Sequence, residues 1–139
     1  TDRLATIEAV RDGTIDIVSS MHTPQDEESK RLPFEEAASG AIGLETILTA
    51  MLRLYHSNQL QMDQIFTAIS LNPAKRLGIS GGSLSHNEPA DLVIFDADKP
   101  LILERERLHS KVKNTPFDGQ KLQGRVLKTY VQGREVFSL

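Results

Sequence analysis

The stretch from Thr14 to Thr46 constrains the fold more than any other part of the chain. It opens on Ile15-Asp16-Ile17-Val18, with Gly13 before it and Ser19-Ser20 after it. A short apolar, β-branched run bounded by turn residues reads as a buried parallel strand, because a strand covered on both faces carries apolar side chains with little alternation. A long polar loop follows, holding the one His-x-Pro of the chain, His22-Thr23-Pro24. The stretch closes on Gly40-Ala41-Ile42-Gly43 at the start of a periodic segment. Strand, long loop and helix form the unit in which α/β folds keep their chemistry, because the strand end is rigid and the loop is free to carry polar groups. A loop of this length inside a compact domain is usually functional or disordered.

The remaining pattern divides in two. Thr1 to Arg11 places Leu4, Ile7, Ala9 and Val10 among charged residues, a short amphipathic helix that stops at Asp12-Gly13. Leu44, Ile47, Leu48, Met51, Leu52 and Tyr55 fall three and four residues apart and predict a helix with one wide apolar face, ending at His56-Ser57-Asn58. Met62, Ile65, Phe66 and Ile69 predict a second, and Asn72-Pro73 reads as the N-cap and first turn of a short third that stops at Gly78. After Gly81-Gly82 the period becomes strand-like. Ala90–Asp96 reads as a buried strand, Leu101-Ile102-Leu103 as a weaker one, and Lys113–Gly119 as loop. Val126–Val131, Gln132-Gly133 and Arg134–Phe137 read as a closing hairpin, since glycine supplies the positive φ of a two-residue turn.

Composition removes several function classes. The 139 residues, 39% hydrophobic and 25% charged, suffice for a globular core. A net charge of −3 is too small to point to nucleic acid or an acidic membrane as partner. No apolar run approaches the ~18 residues of a membrane span. The chain has no cysteine, which removes disulfides and thiolate metal sites and fits a reducing, cytoplasmic setting. The first residue falls inside a helical pattern with no initiator Met, as expected of a piece of something longer.

His22, His56, His86 and His109 are not paired as His-x-His or His-Glu-x-x-His, so the sequence encodes no complete metal site. His56, His86 and His109 read as surface or helix-end residues. His22 follows a strand at the end where barrel folds place their sites, and has a functional and a structural reading. Asp26-Glu27-Glu28 reads as solvated loop, and Glu35-Glu36 as favouring a helix start. Gly40 and Gly43 either bring backbone N–H groups close to a ligand or shape the turn into the next helix.

These motifs in this order resemble the C-terminal third of dihydroorotases, in the cyclic amidohydrolase group. The residues that carry the resemblance are Asp12-Gly13-Thr14-Ile15-Asp16; His22-x-Pro24; Pro33-Phe34 through Gly40-Ala41-Ile42-Gly43-Leu44-Glu45-Thr46; and, in the tail, Pro89–Asp96, Asn114-Thr115-Pro116-Phe117 and Gly124-Arg125-Val126. The resemblance implies an α/β fold, the C-terminal piece of a (β/α)8 barrel over residues 1–80 followed by part of a small β-sandwich over residues 81–139, with Ile15–Val18 as the last barrel strand. It implies the reversible hydrolysis of dihydroorotate to N-carbamoyl-aspartate in pyrimidine synthesis. Zinc ions, held mostly by residues upstream of this chain, would activate a water, with an aspartate at the end of the last strand shuttling the proton.

The family's run at that strand end is Asp-His-Ala-Pro-His, and this chain has Met21-His22-Thr23-Pro24-Gln25. Met21 therefore stands at the catalytic position with a thioether that cannot act as a base and is a poor zinc ligand. Loss of a general base costs about 10²–10⁴-fold in rate. Gln25, Ser39 and Gly40 fall at substrate-binding positions, and Gln25 donates a hydrogen bond without charge. Two readings follow from the resemblance: a cyclic amidohydrolase acting on dihydroorotate, or a non-catalytic homologue that scaffolds aspartate carbamoyltransferase with no need of metal. A hydantoinase or allantoinase is a third, but those enzymes expect the same aspartate. The apolar helix faces need cover, so the chain is expected to pack on a missing part or on copies of itself as a homo-oligomer.

Overall fold

The computed structural model describes all residues, Thr1–Leu139. Helix α1 spans Asp2–Arg11, and its last backbone turn is closed by the Asp12 N–H donating to the Glu8 carbonyl. The next 35 residues contain one short helix, α2, Glu27–Lys30, before α3 at Ile47–His56. A continuous helical run then passes through α4 (Met62–Phe66), a π-helical turn (Thr67–Leu71) and α5 (Asn72–Leu77). The C-terminal part is a three-stranded antiparallel sheet in the order β1 (Leu92–Ile102), β2 (Lys121–Val131), β3 (Arg134–Ser138). The fold is thus mixed α/β with a small antiparallel sheet. No helix is long and apolar enough to cross a membrane.

The helical core follows from the spacing that predicted it. Ile7 of α1, Met51 of α3, Leu60, and Ile65 of α4 are buried together, with Val10, Val18, Ile47, Leu54, Tyr55 and Ile69 packed around them. Each helix contributes one apolar stripe, and three stripes close on one another as the periodicity requires. Helix α3 also joins the helical part to the sheet. Its Leu52 is fully buried against Gly124 of β2, where an added Cβ would lie 2.2 Å from Leu52 Cδ1. Phe66 and Phe95 meet at a tilt of 47° with ring centres 5.5 Å apart, and the His56 Nε2 lies 3.0 Å from the Ala97 carbonyl oxygen.

Several expectations shift. Ile15, Ile17 and Val18 are half-buried, Asp16 is exposed, and the segment joins no sheet. Its N–H groups at Ile15 and Val18 donate to the Ala9 and Ala68 carbonyls of neighbouring helical segments. A parallel strand needs a strand on its flank to complete a ladder, and the sheet of this chain lies elsewhere. The predicted second and third helices are one run. Asn72 has helical angles and its side chain donates 2.8 Å to the Asp16 carbonyl, so it is no N-cap. Pro73 has no N–H and its ring crowds the carbonyl four residues back, and the π-helical turn just ahead absorbs that defect. Gly78 stops the run in the left-handed conformation, as expected.

Helix α3 starts at Ile47, because Leu44 and Glu45 belong to a turn before it. Glu35 and Glu36 lie in a turn with no helix after it. The acidic run starts a helix instead: the Asp26 carboxylate accepts the Ser29 N–H at 2.7 Å, capping α2. The two expected strands at Ala90–Asp96 and Leu101–Leu103 are one strand, β1. Asp96 accepts the N–H groups of Asp98 and Lys99 (3.0 and 3.1 Å), which makes a bulge, and both sides of it pair with β2. This strand is not buried: Val93 and Ile94 are about half exposed. The hairpin forms as read, with Gln132 and Gly133 at φ 49° and 77° between Val131 and Arg134, the positive pair a tight hairpin turn demands.

Candidate functional site

Two backbone segments lie side by side at the end of the Ile15–Val18 segment. One runs from Ser20 to Gln25 and the other from Ser39 to Leu44. A parallel bridge joins His22 to Ala41, and the Thr23 N–H donates to the Ala41 carbonyl at 3.0 Å. The glycines explain how they approach so closely. A Cβ at Gly43 would lie 2.2 Å from the Ser20 carbonyl oxygen, and one at Gly40, already at φ +122°, 2.4 Å from that of Thr23. What these glycines approach is the neighbouring backbone, which favours the turn-shaping reading of the pair.

His22 is committed to this arrangement. Its Nδ1 accepts the N–H of Gly43 at 3.1 Å and, less well, that of Leu44 at 3.3 Å. A ring nitrogen that accepts bears no proton, so the neutral ring carries its hydrogen on Nε2. His22 thus holds the loop pair together, a role that two backbone donors define and that leaves Nδ1 closed to a metal. Met21, one residue earlier, has a positive φ of 43° and is 75% exposed. Its N–H donates to Ser19 Oγ and its carbonyl accepts the Thr23 hydroxyl, so the two hydroxyl residues hold an unusual backbone turn in place. Asparagine and aspartate adopt this conformation more readily than other side chains that carry a Cβ.

The expected substrate-binding residues come together here. Gln25 is half-buried in the first segment; Ser39 is exposed and Gly40 half-buried in the second. Between them lies Asn114, from the loop between β1 and β2. Its Oδ1 accepts the Gln25 N–H at 3.1 Å and its Nδ2 donates to the Gly40 carbonyl at 3.1 Å. Its own backbone carbonyl accepts the Ile42 N–H at 2.9 Å. Glu45 performs a similar task one turn on: its carboxylate accepts the N–H groups of His109 and Ser110 and meets the His109 ring at 2.8 Å. Burial alone would raise the Glu45 carboxyl, but the His109 and Ser110 donors outweigh it and hold the group below its ordinary range. The Ser29 N–H, followed by its hydroxyl side chain, likewise lowers Asp26.

The other histidines lie apart from the loop pair: His56 ends α3 beside Asp98, His109 is an exposed partner of Glu45, and His86 is exposed in the loop before β1. Zinc therefore does not fit the residues this chain supplies. No three His, Cys, Asp or Glu side chains converge where they could hold a metal ion, and the thioether of Met21 is a soft donor that suits zinc poorly. Asn114 and Glu45 are not among the site residues to which the sequence points. Both stand in motifs that carry the family resemblance, Asn114-Thr115-Pro116-Phe117 and Gly43-Leu44-Glu45-Thr46.

The amidohydrolase family model matches residues 1–136. The chain belongs to the amidohydrolase family. Within it, the chain is 39% identical over 137 residues to a dihydroorotase of Wolbachia sp. subsp. Drosophila simulans (strain wRi), covering 99% of this chain and 31% of the relative. It is 40% identical over 136 residues to a dihydroorotase of Desulforapulum autotrophicum, covering 98% and 32%. This amidohydrolase chain therefore spans about a third of the length of the curated relatives it matches. Among solved structures, it is similar to a dihydropyrimidinase from Brevibacillus agri NCHU1002, with a TM-score of 0.91 at 23% identity over 98% of this chain and 31% of that one. It is also similar to an L-hydantoinase from Arthrobacter aurescens, with a TM-score of 0.87 at 31% identity over 96% and 31%. The first of these bears on the fold alone.

Proposed function

We propose that this chain is the C-terminal part of a dihydroorotase-like cyclic amidohydrolase, and that the loop pair at residues 20–25 and 39–44 forms one wall of the pocket for dihydroorotate. Dihydroorotase relatives at 39–40% identity along almost the whole chain carry this reading. On it, residues 1–80 complete a (β/α)8 barrel, with Ile15–Val18 as its last strand, and residues 81–139 form part of a β-sandwich. Half-buried Gln25 donates to the substrate, while Ser39 and the Gly40 backbone line it. Zinc, where the whole protein holds it, is bound by residues upstream of Thr1.

Met21 favours a second reading, a non-catalytic homologue that scaffolds aspartate carbamoyltransferase. At the position where the family resemblance puts a proton-shuttling carboxylate, the backbone holds a strained turn and the side chain offers no base. The test is dihydroorotate turnover by the zinc-supplied full-length protein beside its Met21→Asp variant. On the scaffold reading the wild type is silent, and restoring the carboxylate is expected to recover about 10²–10⁴-fold in rate if the remaining machinery is present. Clear turnover by the wild type would sink the scaffold reading and assign the proton to another group.

A further inference from the structure

We propose that Asn114 is the positioning residue of the loop pair: one side chain, carried in from the loop between β1 and β2, fixes the segment of Gln25 against the segment of Ser39 and Gly40. The inference rests on reading that pair as the substrate wall. Its geometry stands independently. A primary amide has an acceptor on one arm and donors on the other. Here each arm takes a backbone group from a different segment, Gln25 N–H on Oδ1 and Gly40 C=O on Nδ2, both at 3.1 Å. The Asn114 carbonyl adds a third tie at Ile42, 2.9 Å.

The pair of bonds needs an acceptor arm and a donor arm together on one short side chain. An ionised aspartate, the same size, would present two acceptors and set one against the Gly40 carbonyl. The Lys30 ammonium also reaches that carbonyl, at 3.3 Å, but its shorter bond, 2.7 Å, goes to the Ala38 carbonyl, and it ties α2 rather than the Gln25 segment to residues 38–40. Asn114 is itself anchored. Glu45 holds His109 and Ser110 upstream of it, and the Gly119 N–H to Leu103 carbonyl bond ties the chain downstream of it to the end of β1.

The test uses Asn114→Asp and Asn114→Ala in the full-length protein. Amide hydrogen exchange, corrected for its intrinsic pH dependence, is followed in peptides covering residues 21–26 and 39–44. At neutral pH both variants are expected to exchange about tenfold faster there, the change one hydrogen bond of ordinary net strength gives. On acidification the two separate. A protonated carboxyl again has a donor arm and an acceptor arm, so Asn114→Asp returns toward wild type while Asn114→Ala stays fast. Two variants that track each other at every pH overturn the proposal. So does acceleration spread equally into α1 and β2, which would mark a general folding role. If the wild type turns dihydroorotate over, both variants raise KM more than they lower kcat, and an unchanged KM overturns the proposal. If it does not turn over, the catalytic reading fails while hydrogen exchange still decides the role of Asn114.

Discussion

The loop pair shows how single atoms decide backbone geometry. His22 offers one lone pair to two N–H groups, of which that of Gly43 belongs to a buried residue. A buried donor left without a partner costs about 1–3 kcal/mol. Urea denaturation of His22→Ala is therefore expected to show a loss of about that size, whereas His22→Asn, which keeps an acceptor near the Nδ1 position, loses less. Equal losses for the two would mean that the ring matters for packing rather than for its nitrogen. Glu45 acts through charge as well as geometry. Its carboxyl is held below the ordinary 4.5 in the folded chain. A lowered carboxyl adds stability that is fully present above the unfolded value and is lost as pH falls through the folded one. The melting temperature of the wild type should therefore exceed that of Glu45→Gln at neutral pH, and the gap should narrow on acidification below the carboxylate range. A gap that does not change with pH would remove the charge from the explanation.

Between elements, the seat of α3 on β2 is set by a void in one residue and a branch in another. Leu52 fills the space that Gly124, at φ +102°, leaves open. Gly124→Ala is expected to cost about 1–3 kcal/mol from overpacking, with backbone strain in addition. Leu52→Ala alone should cost about 2–5 kcal/mol through lost burial and the cavity left behind. The double variant should cost less than their sum, because the added methyl then enters the space the leucine vacates. A urea series over the four proteins measures this coupling, and strict additivity would show that helix and strand are not seated on each other as described. The π-helical turn is a second case at this scale. The helical pattern through Ile69 and the proline at 73 read as two helices, but the chain runs on through a π-helical turn, with the Asn72 side chain donating to the Asp16 carbonyl.

For the molecule as a whole, the balance of buried and exposed apolar surface decides behaviour. Only 14 of 139 residues are buried, while Phe34 is 98% exposed, Leu84 87%, Leu77 72% and Leu44 65%. Surface of this kind seeks cover in water. Expressed alone, the 15.4 kDa chain is expected to elute from gel filtration above its monomer size or to bind its own copies, and a compact monomer would count against that.

Much of this was legible in the sequence, and the physical reason divides it from the rest. Helix faces, the Gly78 stop, the Gln132-Gly133 hairpin and the family motifs depend on neighbours within a few residues, where side-chain period and backbone φ preference act directly. The fate of Ile15–Val18 could not be read that way, since an extended run becomes a strand only where another strand presents its edge. Nor could the joining of β1 across its bulge, which needed one partner strand reaching both sides. The roles of His22, Glu45 and Asn114 lie in hydrogen bonds to residues 21 to 89 positions away. Local sequence determined which groups were available, and the tertiary structure decided which backbone atoms they would hold, because hydrogen bonds are fixed by distance in space and not by distance along the chain.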